Sequence, residues 1–174
     1  MYKILVTGLP SGGKSGFARN METEMKNYGK VLNQDVDYDK NWKIPENKEA
    51  DFYILQTPHG SKARKEDGIN PKDFDRIIYV EPAFEEYISR LFLRGLGWFK
   101  EGKAHMPEYS FKVPYCPFNI PVIFYNLTRW LVKRKEFVRN DVEYFENLGV
   151  NFTRANSDES KFKIIEEIRR VGEL

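Results

Sequence analysis

Eight residues near the start of the chain, Gly8-Leu9-Pro10-Ser11-Gly12-Gly13-Lys14-Ser15, supply the residue types needed to hold a triphosphate. A loop that wraps its backbone N–H groups around phosphate oxygens needs positions without a Cβ, and Gly8, Gly12 and Gly13 provide them. Lys14 would set its ammonium against the β- and γ-phosphates, and Ser15 would give its hydroxyl to Mg²⁺. The N-terminus of the following helix adds partial positive charge, and Ser11 and Gly16 complete the expected contact set. A glycine-rich turn could match this spacing by chance. The context argues against that: the loop follows an aliphatic run and precedes a stretch with helical apolar spacing.

The elements that must position the loop follow from periodicity. Residues 3–7 read as a buried strand. Residues 14–28 read as a helix carrying Phe17, Met21 and Met25 on one face and closed by Gly29. Further strands are predicted at 31–34, 52–56, 76–80 and 150–153, each ending in a polar or turn-forming cluster. The apolar stripe Phe84, Tyr87, Ile88, Leu91, Phe92 predicts a helix over 83–94. Gly95, Gly97 and Gly102, then Pro107, Pro114 and Pro117, predict an irregular insert from 95 to 119. A long helix over 121–148 and a closing helix over 161–171 complete the chain. Strands alternating with helices give an α/β fold with a five-stranded parallel sheet and helices on both faces. Residues 1–174 read as one domain, with 95–119 an insert within it.

The bulk properties bound the partners. A chain of 174 residues with 41% hydrophobic content can bury a single core. Lys and Arg number 28 against 26 Asp and Glu, so the net charge of +2 is no argument by itself for a nucleic-acid partner. The single cysteine, Cys116, excludes an intrachain disulfide and a cysteine-based zinc site, as suits a reducing cytoplasm. No apolar stretch approaches the roughly 20 residues that span a bilayer, and the expectation is a cytoplasmic protein without a membrane partner.

Over nearly its whole length the chain resembles the small P-loop kinases, a group within the P-loop NTPases that includes nucleoside monophosphate, shikimate and gluconate kinases. The stretch from Ile77-Ile78-Tyr79-Val80-Glu81-Pro82 through Arg90 to Arg94 is similar to their fourth strand and the helix that opens a lid. The resemblance makes 95–119 that lid and implies that Arg90 and Arg94 reach the transferred phosphate. Guanidinium groups suit the charge spread over a migrating phosphoryl group. Asn33-Gln34-Asp35-Val36-Asp37 is similar to the acidic segment after the second strand of the shikimate and gluconate kinases. That likeness implies Asp35, at the carboxyl end of a parallel strand neighbouring the one before the glycine loop, as base and Mg²⁺ support facing the γ-phosphate, with Asp37 second and toward the acceptor. It also places acceptor-binding residues after the third strand, where His59, Lys62 and Arg64 lie, and sets the loop containing Asn156 against the adenine of ATP. One departure stands out: Leu55 is followed by Gln56, where a Walker B strand carries Asp. That weakens a plain ATPase or GTPase reading, and no Asn-Lys-x-Asp guanine-recognition pattern occurs.

Three functions remain open at this point. The first is an ATP- and Mg²⁺-dependent kinase acting on a small acceptor, a nucleoside or nucleotide ahead of a sugar acid because of the aromatic residues between Trp98 and Phe118. The second is a polynucleotide hydroxyl kinase, mildly favoured by Lys133, Arg134, Lys135 and Arg139. The third is a nucleotide-binding switch that transfers nothing. The acceptor, the preferred triphosphate and the oligomeric state are not encoded in any motif.

Overall fold

The computed structural model describes residues 1–9, 11–36, 43–46, 49–57, 68–101 and 120–173, with 94–101 and 120–130 (Thr128 aside) described as backbone alone. Five strands, β1 (Tyr2–Gly8), β2 (Val31–Asp35), β3 (Phe52–Gln56), β4 (Arg76–Val80) and β5 (Phe152–Ala155), form one sheet. Its order is β2-β3-β1-β4-β5 and every pairing is parallel. This is a P-loop NTPase-like topology, with β1 at the centre and the glycine loop leaving its carboxyl end.

The strands are apolar on both faces because both are covered. On one face Ile4, Val6, Ile54 and Ile78 meet Phe17, Met21 and Met25 of α1 (Lys14–Met25) and Ile164 and Ile168 of α4 (Asp158–Gly172). On the other, Leu5, Tyr53, Leu55 and Tyr79 meet Tyr87 and Leu91 of α2 (Phe84–Glu101) and Val138, Val142 and Phe145 of α3 (Ile120–Asn147). Alternation along each strand therefore assigns every strand side chain to the α1 face or the α2/α3 face. No helix among the described residues is long and apolar enough to cross a membrane.

Several boundaries differ from the sequence expectation, each for a local reason. Helix α2 continues through Gly95 and Gly97 to Glu101, so the first seven residues of the predicted irregular insert are helical. A glycine costs only about 1 kcal/mol in a helix interior, too little to stop a helix anchored by buried Tyr87 and Leu91. Residues 102–119 lie outside the described residues. Helix α4 starts three residues early because Ser157 and Ser160 form a reciprocal capping box, with the Ser160 N–H donating to Ser157 Oγ at 3.1 Å. Strand β5 is shifted two residues on from its expected start, although Val150 still packs on the core. Helix α1 stops at Met25, its last residues passing into a turn in which the Tyr28 N–H donates to Met25 O at 2.9 Å.

Two buried polar anchors fix the outer strand and helices. Arg76, only 7% exposed, donates to Thr153 Oγ1 at 3.1 Å and to Glu167 Oε2 at 2.7 Å, tying β4 to β5 and α4. That hydrogen bond is the main reason the Glu167 carboxyl sits below its ordinary pKa. Across the other face the Tyr79 hydroxyl donates to Asp141 Oδ2 of α3 at 3.3 Å. Beside it Phe145, fully buried, stacks on Phe152 with ring centroids 5.2 Å apart. Truncating Phe145 to Ala should lower unfolding stability by about 3–5 kcal/mol, because the ring leaves a cavity between α3 and β5. Urea denaturation checks it; a loss under about 1 kcal/mol would mean that α3 does not seal this face.

Candidate active site

The site begins where β1 ends. Gly8 has φ 143°, and a Cβ at this position would overlap the Val80 carbonyl of β4, its partner in the ladder. The chain then turns, with the Gly12 N–H donating to Leu9 O at 3.0 Å and Ser11 in the left-handed region at φ 59°. Gly13 caps α1 with φ 87° and ψ 14°, a conformation that favours glycine. The first turn of α1 holds no acidic residue, so the helix dipole is not locally neutralised and its positive end faces the loop. Lys14 lies back across the loop, its Nζ donating to Leu9 O at 2.9 Å and Gly8 O at 3.3 Å. Ser15 is half-buried beside it, whereas Gly16 is exposed in open space, so nothing in the packing requires a glycine there.

Arg90 reaches this loop from α2. Its guanidinium occupies the volume directly above Gly13, where a Cβ would run into it. An ion pair with Glu86, one turn earlier on the same helix, holds the arginine in that direction. The positive charge also reaches Asp158 at the start of α4. That carboxyl is held below its ordinary pKa, first by the Lys161 hydrogen bond and in smaller part by Arg90. Three segments distant in sequence thus converge: the loop after β1, Arg90, and the β5–α4 turn. Asn156 lies exposed in that turn, and the N–H groups of Asn156 and Ser157 both donate to Ser160 Oγ, at 3.0 and 2.9 Å.

Asp35 ends β2 in register with Gln56 of β3, which is in register with Val6 of β1. The sequence expectation set Asp35 on a strand adjoining β1; the sheet corrects this, because β3 stands between them. Two strand spacings put the Asp35 backbone about 10 Å from that of Val6. Alternation nevertheless directs it to the α1 face, the face from which Lys14 and Ser15 rise. A carboxylate so placed suits an acceptor lying over β3. Asp37, His59, Lys62 and Arg64 lie outside the described residues, and Arg94 lies on the backbone-only part of α2.

Sequence reasoning noted Gln56 only as a departure, yet it is the end of a polar chain. Gln56 Nε2 donates to Asn33 Oδ1 at 2.8 Å, and Asn33 Nδ2 donates to Glu22 Oε2 of α1 at 2.8 Å. Glu22 also pairs with Lys26 at 2.7 Å, and the Lys26 and then the Asn33 hydrogen bond hold its carboxyl below the ordinary pKa. Gln56 is 6% exposed and its Oε1 has no hydrogen-bond partner. A second cluster, also missed, joins Glu81 at the end of β4 to Arg154 of β5 at 2.6 Å and to Arg134 of α3 at 3.4 Å. Arg134 donates as well to Pro82 O at 2.8 Å and lies over the Phe84 and Tyr87 rings. Neither cluster has a linear signature, because each is made by residues brought together across strands.

Among the described residues no group of three or more His, Cys, Asp or Glu is arranged to hold a metal ion. Mg²⁺ needs no such cage: it keeps several waters and binds through nucleotide phosphates with one or two protein oxygens. The half-buried Ser15 hydroxyl at the start of α1 fits that arrangement.

No family model matches the chain, and no curated protein matches it. Among solved structures, one described as "Crystal structure of APE1195" is 15% identical, with 78% of this chain and 95% of that chain covered at a TM-score of 0.38. A likeness that distant adds nothing to the reading of the site.

The contact between Arg90 and Gly13 is testable by a double-mutant cycle. Gly13→Ala alone should destabilise the protein by more than the roughly 1–2 kcal/mol of a left-handed alanine, since the methyl meets the guanidinium. In an Arg90→Ala background the same change should cost less, with a coupling of about 0.5–3 kcal/mol by urea denaturation. Additive effects would separate Arg90 from the loop.

Proposed function

We propose that the protein is an ATP-dependent kinase that transfers the γ-phosphate to a hydroxyl or phosphate of a small acceptor, a nucleoside or nucleotide ahead of others. The observation that supports this most is the placement of the Arg90 guanidinium over Gly13 of the phosphate loop. A loop that only binds a triphosphate needs its amides and Lys14; a guanidinium aimed at its mouth suits charge that moves during transfer. In this reading the loop and the α1 N-terminus cradle the phosphates, and the β5–α4 turn with Asn156 borders the base. Ser15, with Asp35, would hold Mg²⁺ brought in with the nucleotide, which would supply positive charge against the charge that develops on the phosphates. Asp35 accepts the proton of the acceptor hydroxyl as its oxygen bonds to the γ-phosphorus and the bond to the β-phosphate oxygen breaks, releasing ADP. With Gln56 in place of a Walker B aspartate, Ser15 of α1 and Asp35 of β2 are the metal-side oxygens in this reading, which suits transfer to an acceptor better than activation of water.

A second reading is supported by α3. Lys133, Lys135 and Arg139 are exposed on it, and Lys135 and Arg139 join Arg154 in lining a cavity of ≈ 280 Å³ against the ends of β4 and β5. Glu81, which pairs with Arg154, and Glu143 also line it, so the cations left to meet the phosphate backbone of a nucleic-acid end are Lys135 and Arg139, with Lys133 exposed on the same helix.

Incubation with γ-labelled ATP and Mg²⁺ against nucleosides, nucleoside monophosphates, small polyols and DNA or RNA ends should label one acceptor class. Lys14→Ala should abolish nucleotide binding, and Asp35→Asn should lower turnover about 10²-fold while ATP affinity holds. If the labelled acceptor is a polynucleotide, its binding should weaken by orders of magnitude between about 50 and 200 mM salt. Tight ATP binding with no labelled product from any acceptor would favour the switch reading instead.

A further inference from the structure

Helix α3 passes the outer strand of the sheet with two rows of residues side by side. Val138 and Val142 are buried against the core, and Lys135, Arg139 and Glu143, each four residues from the next, form the exposed row beside them. With Arg134 they line a cavity of ≈ 280 Å³ that Glu81 of β4 and Arg154 of β5 complete. Arg154 is in register with Tyr79 and alternates with Ala155, which puts it on the α3 face of the sheet.

The charges around this cavity are unevenly committed. Glu81 pairs with Arg154 at 2.6 Å and with Arg134 at 3.4 Å, and Arg134 is further held by Pro82 O. Arg154 is 42% exposed and has Glu81 as its one ion pair among the described residues. Lys135, Arg139 and Glu143 have no side-chain partner among the described residues. Two cations are therefore free, and a third can leave Glu81 without stranding it, because Arg134 remains. Three cations exceed what a monoanion needs. They match a phosphomonoester, which carries about −1.5 to −2 at pH 7 and accepts forked hydrogen bonds from guanidinium groups.

The rest of the lining suits the organic part of such a molecule. Val138 and Val142 offer an apolar surface. Glu143, eight residues and so about 12 Å along the helix axis from Lys135, can accept a hydrogen bond at the far end. The volume is near the lower end of the roughly 300–1,000 Å³ of small-molecule sites. A polynucleotide fits less well. Glu81 lies level with Arg134 and Glu143 lies beyond Arg139, so a continuous backbone would carry its next phosphates onto a carboxylate at either end. Nor is this the acceptor position over β3. Three to four strand spacings, about 14–19 Å, separate Asp35 from β4 and β5.

We infer that this cavity is a second ligand site, for one small phosphomonoester. Lys135, Arg139 and Arg154 take the phosphate, Val138 and Val142 contact the organic part, and Glu143 accepts a hydrogen bond from its far end. The site is separate from the glycine loop and does not rest on the kinase reading.

Titration calorimetry with AMP, ribose 5-phosphate and inorganic phosphate tests it in Lys14→Ala protein, so that the glycine loop does not compete. At least one ester should bind, and more tightly than inorganic phosphate. Replacing Lys135 and Arg139 together by Ala should weaken the ester at least about tenfold; both side chains are exposed, so the fold should hold. Glu143→Ala should weaken the ester and not inorganic phosphate. Absence of ester binding at about 10 mM, on the order of the weakest useful affinities, overturns the inference, as does binding indifferent to the Lys135 and Arg139 pair or to Glu143. Esters no tighter than inorganic phosphate would reduce the cavity to an anion contact and overturn it too. A short oligothymidylate held through Lys135 and Arg139 more tightly than either ester would replace it with the polynucleotide reading.

Discussion

The approach of Gly8 to the carbonyl of Val80 is the constraint on which the rest of the site depends. β1 and β4 pair in register up to this point, and no side chain fits between their last partners. The chain leaves the sheet there by the only route the contact allows, over the carboxyl end and back toward the α1 face. Every later feature of the loop inherits that exit: the left-handed Ser11 and Gly13, the start of α1, and the return of Lys14 onto the carbonyls of Gly8 and Leu9. Because β4 runs from Val80 through Glu81 and Pro82 into α2, the same contact also fixes where α2 begins. Arg90 is two turns further along, so its position over Gly13 is a consequence of strand pairing as much as of its own ion pair with Glu86.

Cations outside the loop divide by what holds them. Arg76 is buried and paired through one terminal nitrogen with Thr153 and Glu167, and Arg134 is held by Pro82 O, Glu81 and two aromatic rings. Buried ion pairs of this kind contribute little net stability compared with apolar packing, but breaking one strands a charge. Here they give β4, β5, α3 and α4 one register, which a sheet of aliphatic side chains alone would specify less sharply. Lys133, Lys135 and Arg139 are exposed on α3. The near-zero net charge of the chain conceals this division, since paired and exposed cations count alike in a sum.

What the sequence disclosed and what it concealed follow the same line. Local patterns carried the strands Phe52–Gln56 and Arg76–Val80 to the residue, because a run of β-branched and aromatic residues buried on both faces has no other solution. The glycine loop was legible because its residue types and spacing form a local pattern, even though Gly8 is required by Val80 of β4 and Gly13 both by its own φ and by Arg90. Element ends were less so. Gly95 and Gly97 look like breakers until the anchoring of α2 by Tyr87 and Leu91 is known, and the capping by Ser160 depends on a rotamer no pattern records. Strand order was the deepest gap: nothing in the order of segments says that β3 inserts between β2 and β1, and the reach asked of Asp35 changes with it. The polar chain from Glu22 to Gln56 exists only once that insertion is made.

The same insertion accounts for an amide at position 56. With β3 between β2 and β1, residue 56 is the register neighbour of Asp35, and the Asn33–Glu22 chain ends on it from the side. A carboxylate there would lie beside one carboxylate and face Asn33 Oδ1, which the ionised Glu22 keeps turned inward. Like charges side by side on a partly buried sheet face raise the cost of ionising each other, and an acceptor facing an acceptor adds to it. Glutamine meets both demands, since it carries no charge and its nitrogen satisfies Asn33. The departure from the usual aspartate is therefore tied to the polarity of α1 through Glu22 and to the presence of Asp35 one strand away. A chain with a different residue at either place would face a different choice at position 56.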